Sequence, residues 1–137
     1  MNIEMNKIEN ATSHAINLMQ DGEVYLTIPP TMDPIRLYDE WSPIGTFDMA
    51  DDCTGSVTGI PFEFPKFSTL DENGEGIELP ELQHGVFYVV SKMVAEAFWY
   101  RADFLIPGKI QKDENGRICG CECLSHIRGK DFSALTY

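Results

Sequence analysis

The stretch GVFYVVSKMVAEAFWYR, residues 85–101, decides the fold. Val86 to Val90 is a short run of β-branched and aromatic residues, the composition of a strand. It leads directly into Ser91, a good helix N-cap, and then Lys92 to Tyr100, where Met93, Val94, Ala97 and Phe98 supply an apolar face at helical spacing. Arg101 follows at the C-terminal end, where a cation complements the helix dipole. A strand feeding a short helix and an Arg-bearing turn predicts an α+β fold: a β-rich antiparallel sheet or partial barrel with one main short helix at about residues 91–100.

The flanking sequence extends this pattern. Ala15 to Met19, Glu23 to Ile28, Ile35 to Tyr38 and Ser56 to Phe64 all read as strands. Pro29-Pro30, Pro34, Pro43, Pro61 and Pro65 punctuate the first half, which restricts those runs to edges, strand starts or irregular connections and disfavours a long helix. The tetrapeptide Asp-Glu-Asn-Gly occurs at residues 71 to 74 and again at 113 to 116. Each copy offers Asn-Gly for positive φ angles in a tight turn, and the second joins Lys109–Lys112 to Arg117–Leu124 as a terminal hairpin.

A chain of 137 residues, 43% of them hydrophobic, fits a single domain over 1–137, with residues 1–10 and 126–137 peripheral or flexible. No apolar run nears the roughly 20 residues that span a bilayer, and Met1 to Asn10 lacks the pattern of a secretory leader. The expectation is a cytoplasmic protein with no membrane partner, which makes Asn10-Ala11-Thr12 an incidental glycosylation match. The net charge of -12 is unevenly spread: residues 1–82 carry 16 acidic and 3 basic side chains, residues 83–137 carry 6 and 7. An acidic surface repels phosphate backbones, so direct nucleic-acid binding is not expected.

Cys119, Cys121, Cys123 and His126 resemble a zinc set only superficially. Cysteines two apart share one face of a strand, whereas zinc knuckles use a Cys-x-x-Cys turn, so these read as a row of core side chains. Asp71 to Gly76 begins like a calcium loop, but Leu82 stands where a bidentate glutamate belongs and Pro80 interrupts it; the reading is a solvated turn. No metal and no cofactor is expected. Nucleophile elbows, phosphate-binding glycine loops and dinucleotide fingerprints are all absent from the sequence. The polar candidates are Thr12, Ser13 and His14 near the start and Arg101 with Asp103 after the helix.

These residues also carry a resemblance. Thr12-Ser13-His14-Ala15-Ile16-Asn17 resembles the N-terminal Asn-Leu-Thr-Pro-His-x-Ile motif of small phage and bacterial proteins, with Ser13 in place of the proline. Gly85 to Ser91 with Val94-Ala95, Arg101-Ala102-Asp103, Pro107-Gly108 and the hairpin from Gly116-Arg117 to Leu124-Ser125 are similar to that family's later elements. The resemblance implies a phage or prophage source, and with it the cytoplasm of a bacterial host cell. The resemblance itself carries no activity; among small phage proteins in general one recurring job is to sequester nucleotide-derived signals of bacterial immunity, an analogy of class alone.

The functional expectation is therefore a non-catalytic protein that binds a cyclic or ADP-ribose-derived nucleotide without cleaving it. Phosphate needs cations and a base needs aromatic faces, and the less acidic half supplies them. The candidate ligand-binding residues are Thr12, His14, Lys92, Trp99, Tyr100, Arg101, Asp103 and Lys109, with His14 and Arg101 expected to share one pocket. Because such ligands often sit between subunits, a homo-oligomer is expected. Two alternatives stand beside this reading. One is a protein-binding inhibitor using the acidic aromatic first half, including Tyr38, Trp41, Phe47, Phe62, Phe64 and Phe67; the other is an enzyme that degrades a signal nucleotide with His14 as acid or base.

Overall fold

The computed structural model describes residues 5–70 and 73–137, which divide into two compact units. The first comprises residues up to Arg36 together with Glu78–Tyr137; the second is Leu37–Ile77.

The first unit is a six-stranded sheet curled into a half-barrel. Its strands are β1 (Lys7–Asn10), β2 (Ile16–Gln20), β3 (Glu23–Ile28), β6 (Val86–Val89), β7 (Phe104–Lys112) and β8 (Ile118–Ser125), in the order β1-β6-β7-β8-β2-β3. The sheet is mixed: β1·β6, β6·β7 and β2·β8 run parallel, while β2·β3 and β7·β8 are antiparallel. The parallel β6·β7 pair follows from the strand-to-helix run, because a parallel neighbour requires a crossover and the single helix provides it.

That helix, α1, is Lys92–Ala97. Ser91 caps it, its hydroxyl accepting the Val94 N–H at 3.3 Å. The helix is a turn shorter than its sequence predicts because Phe98 (φ −116°, ψ 42°) leaves helical geometry. Arg101 thus lies beyond the helix and does not cap its dipole. The buried face is Val94, Ala95 and Phe98, while Met93 stays exposed. With Phe87, Val89, Val90, Phe104 and Leu105 these form the core, each large apolar side chain contributing about 1.5–3 kcal/mol by burial.

The terminal hairpin closes through Asp113–Gly116, where the Gly116 N–H reaches the Asp113 carbonyl at 3.0 Å. Only Gly116 takes positive φ (77°) there, so the left-handed conformation falls on the one residue of the Asn-Gly pair that adopts it without steric cost. The chain's last residues pack on β6: the Leu135 carbonyl accepts the Gly85 N–H at 2.5 Å, and Phe132 lies edge-on to Phe87 at 5.4 Å.

The second unit is an antiparallel ribbon of β4 (Tyr38–Ala50) and β5 (Val57–Ser68). The expected strand at Ile35 to Tyr38 does not form. Ile35 is buried and gives its N–H to the Ala11 carbonyl at 3.1 Å, but the ladder begins only at Tyr38, after the chain has entered the ribbon. Of the two Asp-Glu-Asn-Gly turns, the first includes Asp71 and Glu72, which lie outside the described residues.

Candidate functional site

Asn10 organises the loop that carries Thr12 and His14. As the last residue of β1 it is wholly buried. Its amide nitrogen donates to the carbonyls of His14 (2.8 Å) and Ile28 (2.9 Å), while its Oδ1 accepts from the Thr12 N–H (3.0 Å) and hydroxyl (2.6 Å). Every polar atom of the amide is used, which makes its burial tolerable. Thr12 is thereby committed to the loop. The His14 imidazole is exposed and borders a cleft of about 350 Å³ together with Ile16, Pro107, Ile110, Ile118 and Cys119.

That cleft includes neither Arg101 nor Asp103. The Arg101 guanidinium instead makes a two-pronged pair with Asp103, Nε to Oδ1 and Nη2 to Oδ2, both at 2.8 Å, and Nη2 also reaches the Pro80 carbonyl at 2.8 Å. Its plane lies over the Phe104 ring, 4.4 Å from the centroid. The Asp103 carboxylate raises the Arg101 pKa above its already high ordinary value, and the Asp103 side chain is completely buried. Such a pair builds the turn after α1; its charge is neutralised internally.

The exposed chemistry lies next to that turn. His126, buried at the end of β8, accepts the N–H groups of Arg128 (3.0 Å) and Lys130 (3.3 Å) at Nδ1. The ring proton therefore sits on Nε2, where it is donated to the Arg101 carbonyl at 3.1 Å. One imidazole thus ties the turn after β8 to the turn after α1. As a result the Arg128 guanidinium stands 5.5 Å and the Lys130 ammonium 5.9 Å from the centre of the Trp99 ring. Trp99 is half-exposed, and Tyr100 packs edge-on to it at 6.3 Å. Both cations are within the range at which an aromatic face attracts them.

The structure therefore brings together Trp99 and Tyr100 of the expected residues and adds Arg128 and Lys130. Lys92 is exposed at the first position of α1. Lys109 lines a separate polar cleft of about 290 Å³ with Asp21, Tyr25 and Glu122. Arg128-Gly129-Lys130 was available as a signal, being two cations within three residues of an acidic chain. In the sequence His126 stands out only beside the three cysteines, whereas in the fold both its ring nitrogens are taken by backbone groups. Cys121 is buried against Leu18 and Ile28, and loss of solvent pushes its thiol pKa up. Cys119 and Cys123 flank it on β8, partly buried.

No protein-family model, curated protein or solved structure matches this chain.

Proposed function

We propose that this is a small-molecule binding protein that holds a nucleotide-type anion at Trp99, Arg128 and Lys130 and keeps it intact. The observation that carries the reading is the pair of cations held against one half-exposed indole. An aromatic face stacks a base regardless of its identity, and a guanidinium pairs with phosphate through two parallel hydrogen bonds. His126 serves as a positioning residue, since its two backbone bonds fix the turn that presents Arg128 and Lys130. By analogy of class with small phage proteins that sequester signals, the ligand class proposed is a nucleotide-derived immune signal, with sequestration rather than cleavage as the outcome.

The chain has two tryptophans, so Trp41→Phe leaves Trp99 as the sole indole reporter. Titration of that variant with ADP-ribose and with a cyclic dinucleotide should quench Trp99 fluorescence. Trp99→Ala and Arg128→Ala, followed by calorimetry, should each weaken binding by about 1–3 kcal/mol. Mass spectrometry of the denatured complex should return unmodified ligand. Unchanged affinity in both variants, or recovery of a cleaved product, would sink the reading.

A further inference from the structure

The ribbon of β4 and β5 is 13 residues paired with 12, and it joins no other strand among the described residues. A two-stranded sheet is marginal in water unless one of its faces is covered. Beyond the irregularity at Pro43/Gly45, the register sets Gly45 opposite Phe62, Phe47 opposite Ile60 and Met49 opposite Thr58. Opposed residues share a face and alternate residues return to it, so Phe47, Met49, Ile60, Phe62 and Phe64 lie together. The Phe47 and Phe62 rings are 5.9 Å apart, yet Phe47, Met49, Phe62 and Phe64 remain 41–54% exposed. The other face mixes Asp48, opposite Gly59, and Glu63, opposite Pro43, with the exposed Trp41, opposite Pro65, and Val57, opposite Ala50. Pro43, Pro61 and Pro65 have no N–H to offer a further strand, so the ribbon's edges are poor templates and its cover must come over the face.

Charge selects the occupant. Residues 37–77 hold nine carboxylates and a single lysine. A second copy of the ribbon would bring an equal surplus and repel it, whereas a basic surface is attracted. We propose that the aromatic face of this ribbon is a docking surface for a protein partner that presents aliphatic side chains within a rim of lysine and arginine. Half-exposed phenylalanines anchor such a contact, and the net negative charge of residues 37–77 speeds encounter and makes it sensitive to salt. The surface is independent of the Trp99 site in chemistry and in residues.

The probe is an 18-residue amphipathic peptide of lysine and leucine, with a glutamate and leucine counterpart as control, titrated by calorimetry into the full chain at two salt concentrations. The lysine peptide should bind and weaken with salt, and the glutamate peptide should not bind. Phe47→Thr and Phe62→Thr keep the charge and suit a strand, and each should weaken the lysine peptide by about tenfold. Met49→Thr provides a second probe of the face should either phenylalanine variant lose its circular dichroism, and it too should weaken binding. Equal binding by wild type and the folded variants would reduce the effect to bulk charge and overturn the proposal. A dimer in sedimentation that Phe47→Thr disperses would also overturn it, by making a second copy the occupant.

Discussion

A carboxylate as deeply buried as that of Asp103 requires a cation within hydrogen-bonding distance, and Arg101 supplies one with two 2.8 Å bonds. Arg101→Gln should therefore destabilise the chain by about 3–5 kcal/mol, because it strands a buried charge. Replacing both partners together, Arg101→Met with Asp103→Leu, should cost less than either single change. Urea denaturation of Arg101→Gln, of the double variant and of its two constituent singles checks this, and a double variant worse than both singles would contradict it. The same residues show the limit of reading side chains in isolation. An arginine two positions before an aspartate, Arg101-Ala102-Asp103, is visible in the sequence as a polar pair, but whether it faces a ligand or itself depends on the Pro80 carbonyl and the Phe104 ring that surround it. Asn10 is a comparable case. Asn-Ala-Thr is plain to see as a tripeptide, yet its role in tying down the 11–15 loop depends on the Ile28 carbonyl, 18 residues away.

At the scale of elements, the contact of β2 with β8 turns on Gly120. A Cβ there would come within 2.7 Å of the Asn17 carbonyl oxygen and 2.5 Å of the Met19 sulfur. Methionine can yield, but the backbone oxygen cannot without moving the strand. Gly120→Ala should accordingly cost about 1–3 kcal/mol, as overpacking does, while Gly76→Ala, with open space around it, provides the control. Equal urea midpoints for the two variants would count against a close β2·β8 seam. Most of the strands were legible because their composition is local: β2, β3, β6 and the β7–β8 hairpin lie where β-branched residues and the Asn-Gly turn place them. The ribbon is legible in the sequence only in part, as Ser56 to Phe64, because its prolines argue against continuous strands. In a two-stranded sheet each strand has a free edge, where a missing N–H costs nothing, so β5 runs through Pro61 and Pro65 to Ser68.

At the scale of the whole molecule, the two units differ in how they are held. β6 and β7 contribute Phe87, Val89, Phe104 and Leu105 to a buried core, whereas the large apolar residues of the ribbon's ladder from Phe47 to Phe64 remain exposed. Amide hydrogen exchange should therefore be fast along β4 and β5 and slow along β6 and β7, since protection follows buried contact. Ribbon amides as protected as those of Val89 would show that its face is already covered in the isolated chain. Among the described residues no helix is long and apolar enough to cross a membrane. By itself the sequence determined the α+β class, the capped helix after the Val86–Val90 strand, the terminal hairpin and the charge contrast between the chain's halves, because each depends on composition and on neighbours a few residues apart. Only the tertiary structure decided the parallel pairing of β1 with β6, the closure of Arg101 on Asp103 and the meeting of Trp99 with Arg128 and Lys130. Those depend on a mixed sheet that brings together segments distant along the chain, and on one buried imidazole, His126, that joins two turns through backbone groups no local pattern identifies.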